Sequence, residues 1–164
     1  MSKKYKILMT TMGLNIGGAE THIVELSKEL KKRGYDILVA SNGGVYVDEL
    51  TEAGIKHFNV PLNTRNFGKM NKSLKMLRKI ITEEKVDIVH SHARIPGFVA
   101  GILHHSMDFT FVTSAHWVFN TSHGLKYLTN WGQKVIAVSE DIKQYLMDNY
   151  HTAEKNIYVT INGI

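Results

Sequence analysis

The chain has 164 residues, 43% hydrophobic, 21% charged and 9% aromatic, a balance that fills one globular core and excludes disordered, collagen-like and coiled-coil chains. Twenty Lys and Arg face fifteen Asp and Glu, a formal +5 with nine histidines neutral, which favours an anionic partner and leaves phosphate, lipid surface and nucleic acid open. Cysteine is absent, so disulfides, thiolate zinc sites and thiol nucleophiles are excluded, and a reducing compartment, by default the cytoplasm, is expected.

The basic N-terminus precedes only about four apolar residues before Thr10 and Thr11, too few for a signal core or a membrane span. That segment reads as the first buried strand, Lys6–Thr11. The first helix follows over Ala19–Arg33, with Ile23, Leu26 and Leu30 on its apolar stripe and Lys28, Glu29, Lys31 and Lys32 turned away. Strands are then predicted over Asp36–Ala40, Lys56–Val60, Asp87–Ser91, Thr110–Ser114, Lys134–Val138 and Ile157–Ile161, most of them rich in β-branched residues and too continuously apolar for one-sided exposure. Helices are predicted between them over Asp48–Ala53, Met70–Glu84, Ile95–Ser106, Ser122–Asn130 and Asp141–Asn149, with Gly34 and Gly54 placed to stop the first two. Alternating strands and helices, without a linker or repeat, predict one doubly wound α/β domain with a mostly parallel, Rossmann-like sheet of about seven strands and helices on both faces. Ligands of such sheets bind beyond the carboxyl ends of the strands.

At those ends, Met12-Gly13-Leu14-Asn15-Ile16-Gly17-Gly18 joins the first strand to the first helix. The Gly17–Gly18 pair presents backbone N–H groups and the positive end of a helix dipole, a natural seat for phosphate, although paired glycines also serve simply to turn the chain. The spacing is not GxGxxG, the second strand ends in Ser41-Asn42 without a ribose-binding acid, and no GK[ST] triplet follows a glycine loop. NAD and a Walker-type ATP site are therefore not expected. The fourth strand ends in His90-Ser91-His92-Ala93-Arg94, where two histidines share a face without a carboxylate partner. A metal site is not expected there; one imidazole is expected to be structural and the other to face the cleft beside Arg94. The fifth strand delivers His116 at its tip, without the GxSxG elbow of a serine hydrolase. At the sixth, Ser139 is a helix N-cap and Glu140 follows it. Seven Lys or Arg lie between Arg65 and Lys85, a basic amphipathic helix that either solvates one face or rests on anionic lipid. The aromatics are not spaced as a stacking platform, so nucleic acid is not an expected partner.

The segments GGAETHIVELSKELKKRGYDILVAS, DIVHSHARIPGFVAGILHH, VTSAHWVF and VIAVSEDIKQYLMDNYHTAEKNIYVTINGI, in this order, resemble the N-terminal domain of GT-B glycosyltransferases of the family-4 type, which are retaining and nucleotide-sugar-dependent. The resemblance implies that Gly17 and Gly18 hold the donor diphosphate and that His116 lies next to the transferred sugar as the catalytic residue. It places His92, Arg94, Arg65 and Glu140 on the side of a glycan, lipid or small-molecule acceptor, with no cofactor or metal. The stretch 61–69 and the loop around 117–123 are expected to set acceptor choice. Family members cross into a second, nucleotide-binding domain where this chain stops at Asn162-Gly163-Ile164, so the isolated chain is expected to fold as a single domain over residues 1–164 and to be inactive. A location in the cytoplasm, with peripheral contact at the inner membrane face, goes with this reading. The alternatives are a sugar-nucleotide epimerase half on the same scaffold and a non-catalytic binder of phosphate or lipid headgroups.

Overall fold

Strands that are apolar on both faces must be covered twice, and the chain does this by crossing over with a helix after most strands. In the computed structural model, which describes residues 3–119, 122 and 129–161, the strands are β1 (Lys6–Thr10), β2 (Asp36–Ser41), β3 (Lys56–Asn59), β4 (Ile88–Ser91), β5 (Thr110–Ala115), β6 (Lys134–Ala137) and β7 (Ile157–Val159). They make one sheet in the order β3-β2-β1-β4-β5-β6-β7, and every pairing is parallel. The helices are α1 (Gly18–Lys32), α2 (Val47–Glu52), α3 (Phe67–Glu84), α4 (Arg94–His104) and α5 (Glu140–Tyr150). The predicted doubly wound α/β architecture is thus the observed one.

Period-two alternation sorts the side chains of β1 and β2 onto two cores. Ile7, Met9, Ile37 and Val39 pack with Ile23 and Val24 of α1 and Leu50 of α2. Leu8, Leu38 and Ala40 pack on the other side with Leu77, Ile80 and Ile81 of α3 and Val99 and Leu103 of α4. A smaller cluster joins Val135 and Ala137 of β6 to Leu146 of α5 and to Trp131. Gly34 and Gly54 follow α1 and α2 at φ 95 and φ 74, as expected of residues that end a helix.

The strand order reverses between β1 and β4, which opens a crevice at their carboxyl ends. There His92 N–H donates to Thr10 O at 2.9 Å, and the Thr10 and Ser91 hydroxyls share a buried hydrogen bond of 2.7 Å.

Most predicted boundaries move by one or two residues, and some move for an evident reason. Helix α3 starts at Phe67 rather than Met70, because Asn66 caps it by accepting from Lys69 N–H at 3.1 Å, and the exposed first turn adds no apolar period. The last strand ends at Val159 instead of Ile161, and a 3-10 turn over Glu154–Asn156, too short to carry a period, precedes it. The helix predicted over Ser122–Asn130 falls mostly outside the described residues; Ser122 lies in a turn, and Thr129 and Asn130 are irregular.

Candidate functional site

Loops from three strands meet at the crevice. The β1 loop reaches α1 through Gly17, which is the N-cap, and Gly18, the first helical residue. A turn after β2 holds this loop in place: Leu14 N–H donates to Gly43 O at 2.9 Å and Tyr46 N–H to Leu14 O at 3.0 Å. Gly44 sits at φ 149, and a Cβ there would overlap the Leu14–Asn15 peptide, so only glycine lets the two loops lie this close.

Gly18, Glu20, His92, His116, Trp117 and Phe119 line a common cleft of about 240 Å³. Of the glycine pair, Gly18 opens onto the sheet's mouth. Four imidazoles converge beneath it. His92 Nδ1 lies 3.4 Å from His116 Nε2, and their rings stack with centroids 5.7 Å apart. His22, from α1, sets its ring edge against His116 at 5.2 Å and against His92 at 6.4 Å. His90 lies 4.0 Å from His92, ring to ring, and its Nε2 shares a 2.7 Å hydrogen bond with the Ser114 hydroxyl. His92 Nε2 faces the Met9 sulfur at 3.4 Å.

This environment disfavours charge. Burial, followed by the neighbouring imidazoles, lowers His90 to about 3 and holds His92 well below its ordinary value. Burial and then His22 lower His116 to about 4, and burial lowers His22 as well. At neutral pH the cluster is a set of uncharged donors and acceptors. Among the described residues no group of three or more His, Asp or Glu has the arrangement to hold a metal ion.

The expectation that one histidine of the β4 pair is structural and the other faces the cleft matches His90 and His92, although His92 is itself buried. Arg94 and Arg65 line a neighbouring cleft together rather than the imidazole one. The Arg94 guanidinium lies over the Phe119 ring at 4.6 Å, and so sits between the two clefts. Glu140 departs from the expectation: it is exposed in the first turn of α5 and lines neither cleft. There the Ser139 side chain caps the helix, accepting from Ile142 N–H at 3.2 Å, which accounts for the local sequence without a ligand.

A family model described as Glycosyltransferase Family 4 matches residues 16–164, from the glycine loop through the last strand. The chain belongs to Glycosyltransferase Family 4. Among relatives, one component of human phosphatidylinositol N-acetylglucosaminyltransferase is 28% identical over 150 residues, which cover 87% of this chain and 30% of that protein. The crystal structure of a glycosyltransferase from Rickettsia africae ESF-5 superposes with TM-score 0.83 at 30% identity, over 99% of this chain and 44% of that one. Anabaena Alr3699/HepE in complex with UDP-glucose superposes with TM-score 0.77 at 17% identity, over 97% and 44%, which shows a shared fold. This family-4 chain spans less than half the length of the human protein and of each of these two structures, and its sheet is that of the N-terminal domain of a GT-B glycosyltransferase.

Two residues of the family-4 chain, Glu20 in the cleft lining and His22 against the His92 and His116 rings, carry no sequence expectation. His22 lies one helical turn beyond the glycine pair, four residues before Leu26 at the edge of the apolar stripe, where an imidazole carries no signal of its own. The Glu20 carboxylate leans back over Gly17, where a Cβ would collide with it. The signal for Glu20 was its position, third in the helix after the N-cap, from which a carboxylate reaches back to the helix start.

Proposed function

We propose that this chain is the acceptor-side half of a retaining, nucleotide-sugar-dependent glycosyltransferase of the hexosyl-transferring type. One observation carries the reading. Gly18 at the start of α1, His92 at the end of β4 and His116 at the end of β5 line one cleft at the point where the strand order reverses. The donor's diphosphate rests against the Gly17–Gly18 amides at the positive end of α1. His116 is the catalytic residue beside the transferred sugar, where its neutral imidazole or its carbonyl meets sugar hydroxyls and developing positive charge. His92, Arg94 and Arg65 serve the acceptor side, and Glu140 drops out of that set.

Retention through an oxocarbenium-like state needs a departing nucleoside diphosphate held by fixed donors in a cleft without water. A single wall leaves such a cleft wet, so the second wall belongs to a nucleotide-binding domain outside these residues, and the isolated chain transfers nothing. No cofactor or metal enters this reading. An epimerase would need paired carboxylates for acid and base work, whereas among the described residues lining the cleft Glu20 is the one carboxylate.

No helix among the described residues is long and apolar enough to cross a membrane. The exposed basic face of α3 suits peripheral contact with the inner, cytoplasmic membrane face. The test joins this chain to the reading frame that follows Ile164 and supplies labelled nucleotide sugars with an acceptor extract. Transfer by the joined protein, lost in His116→Ala and absent from the 164-residue chain, is the expected result. Turnover by the chain alone, or sugar inversion without acceptor, overturns it.

A further inference from the structure

The neighbouring cleft, of about 280 Å³, is lined by Arg65, by Phe67 and Met70 from the first turns of α3, and by Arg94, Ile95 and Phe98 from α4. Four of these six side chains are apolar. Phe67 is 87% exposed, although burying a phenyl ring is worth roughly 1.5–3 kcal/mol. The two polar members are both guanidiniums. No Asp or Glu occurs from Pro61 to Thr82, and neither α3 nor α4 carries an acid in its first turn. Two positive helix ends and two arginines thus converge on an apolar hollow without a nearby carboxylate from either helix start. A purely apolar ligand would ignore the charge, and a bare anion would ignore the ring.

Arg94 fixes the direction of such a ligand. Its guanidinium lies over Phe119, which lines the imidazole cleft, while Arg94 itself lines the apolar one. An anionic group at Arg94 would border both the cleft lined by Phe67 and Phe98 and, across Phe119, the cleft lined by His116.

We propose that the acceptor is an anionic membrane lipid: an alkyl or isoprenoid chain enters between Phe67, Met70 and Phe98, its phosphate meets Arg65 and Arg94, and its hydroxyl-bearing headgroup enters the imidazole cleft. This rests on reading the chain as the acceptor-side half of a glycosyltransferase. The hollow lies just below the ~300–1,000 Å³ typical of whole-ligand pockets, so it holds part of one chain, and the rest stays in the bilayer. The exposed cations Lys69, Lys72, Lys75 and Arg78 continue outward from the cleft along α3 and face that anionic surface.

The test uses the 164-residue chain, whose core is self-contained, and follows backbone amide shifts during titration with monomeric dihexanoylphosphatidylglycerol. The parallel titrations use dihexanoylphosphatidylcholine and glycerol 3-phosphate. The expected result is shifts centred on Phe67, Ile95 and Phe98, with affinity at least tenfold weaker for the zwitterionic lipid and for the chainless phosphate. Phe67→Ser and Arg65→Glu, both at exposed positions, each weaken the anionic lipid about tenfold or more with the amide spectrum otherwise retained. Reversing Lys72 and Lys75 to Glu weakens sedimentation with phosphatidylglycerol vesicles and leaves the monomeric lipid's affinity unchanged. Equal binding of all three probes, shifts confined to the outer face of α3, or full affinity in Phe67→Ser overturns the proposal. Transfer to a soluble glycan by the chain joined to its downstream domain, with no lipid binding, removes the lipid and keeps the transferase. Lipid binding without any transfer by the joined protein removes the transferase and keeps the cleft.

Discussion

The imidazole cleft and the apolar cleft meet at Ala93 and Arg94, yet the first buries polar side chains that answer one another, while the second leaves a phenyl ring in water. In the first, His90, His92 and His116 are held by Ser114, by Met9 and by each other, and burial keeps them neutral. In the second, charge lies on two guanidiniums, Arg65 exposed and Arg94 half-buried, and the other lining side chains are apolar. The contrast teaches how one sheet edge can carry two chemically different surfaces. Neutral, fixed donors and acceptors suit a reacting centre, where reorganisation is costly, whereas an apolar hollow with cations suits anchoring, where position matters more than polarity. The difference can be attacked from either side, and acid strikes the imidazole side hardest.

His90, His92 and His116 have folded-state values below the ordinary 6.5 of histidine, chiefly through burial. Below about pH 6.5 the unfolded chain therefore takes up protons that the folded chain refuses, and stability falls as pH falls. The loss continues until the folded values are reached, about 4 for His116 and about 3 for His90. Each imidazole contributes at most about 1.4 kcal/mol per pH unit in that window. Single domains hold only about 5–15 kcal/mol, so the chain should lose stability as pH falls below about 6.5, while its stability should stay flat above pH 7. Urea melts across this range check it. A flat profile between pH 6.5 and 4.5 would mean that the imidazoles are not buried as a group, and His90→Gln, which preserves a partner for Ser114, should reduce the slope.

Gly44 tests the scaffold under the same cleft. A methyl group there meets the Leu14–Asn15 peptide at a positive φ, so Gly44→Ala should cost at least about 2 kcal/mol through strain and loop displacement. The amides of Gly17 and Gly18 should shift in the same variant. Loss of stability without such shifts would mean that the β2 turn does not position the glycine loop.

Tyr145 tests the wall between the clefts. Its hydroxyl donates to Phe119 O at 2.6 Å and accepts from Phe119 N–H at 3.0 Å, pinning the ring that carries Arg94. Tyr145→Phe should cost about 1–2 kcal/mol for two lost bonds and speed hydrogen exchange at Phe119. Unchanged exchange would separate Arg94 from this support.

Much of this architecture was legible in the chain. The strands were readable because apolar runs such as Lys6–Thr10 and Asp36–Ser41 are short, β-branched and bounded by turn residues. His116 and the glycine pair could be placed because a parallel sheet sends all its carboxyl ends to one edge. Its neighbour His22 could not be found in this way, because it sits on α1 rather than at a strand end and meets His116 only once that helix packs on the sheet. Nor could Arg65 and Arg94 be assigned to one hollow. They come together because α3 and α4 lie side by side on one face, which depends on the crossover after β3 and not on spacing. Glu140 was misplaced for a related reason: a glutamate after an N-cap looks the same whether its helix start faces a cleft or water.

The smallest expected effect falls on Glu20, where the two roles of a helix start compete. Its carboxylate lies over Gly17 in the first turn of α1, where negative charge stabilises the helix by about 0.3–1 kcal/mol. The same charge repels a diphosphate seated on the glycine pair. Glu20→Gln should therefore move two quantities in opposite directions: stability in denaturant falls by up to about 1 kcal/mol, and affinity for uridine diphosphate, read from amide shifts of Gly17 and Gly18, rises about two- to fivefold. A simple loss of a helix-start interaction predicts the first change without the second. Glu20→Asp keeps the charge on a shorter side chain and should leave the nucleotide affinity close to that of the parent chain. If Gln and Asp variants bind the nucleotide alike, the carboxylate does not share the anion's seat, and the diphosphate must approach α1 from another side.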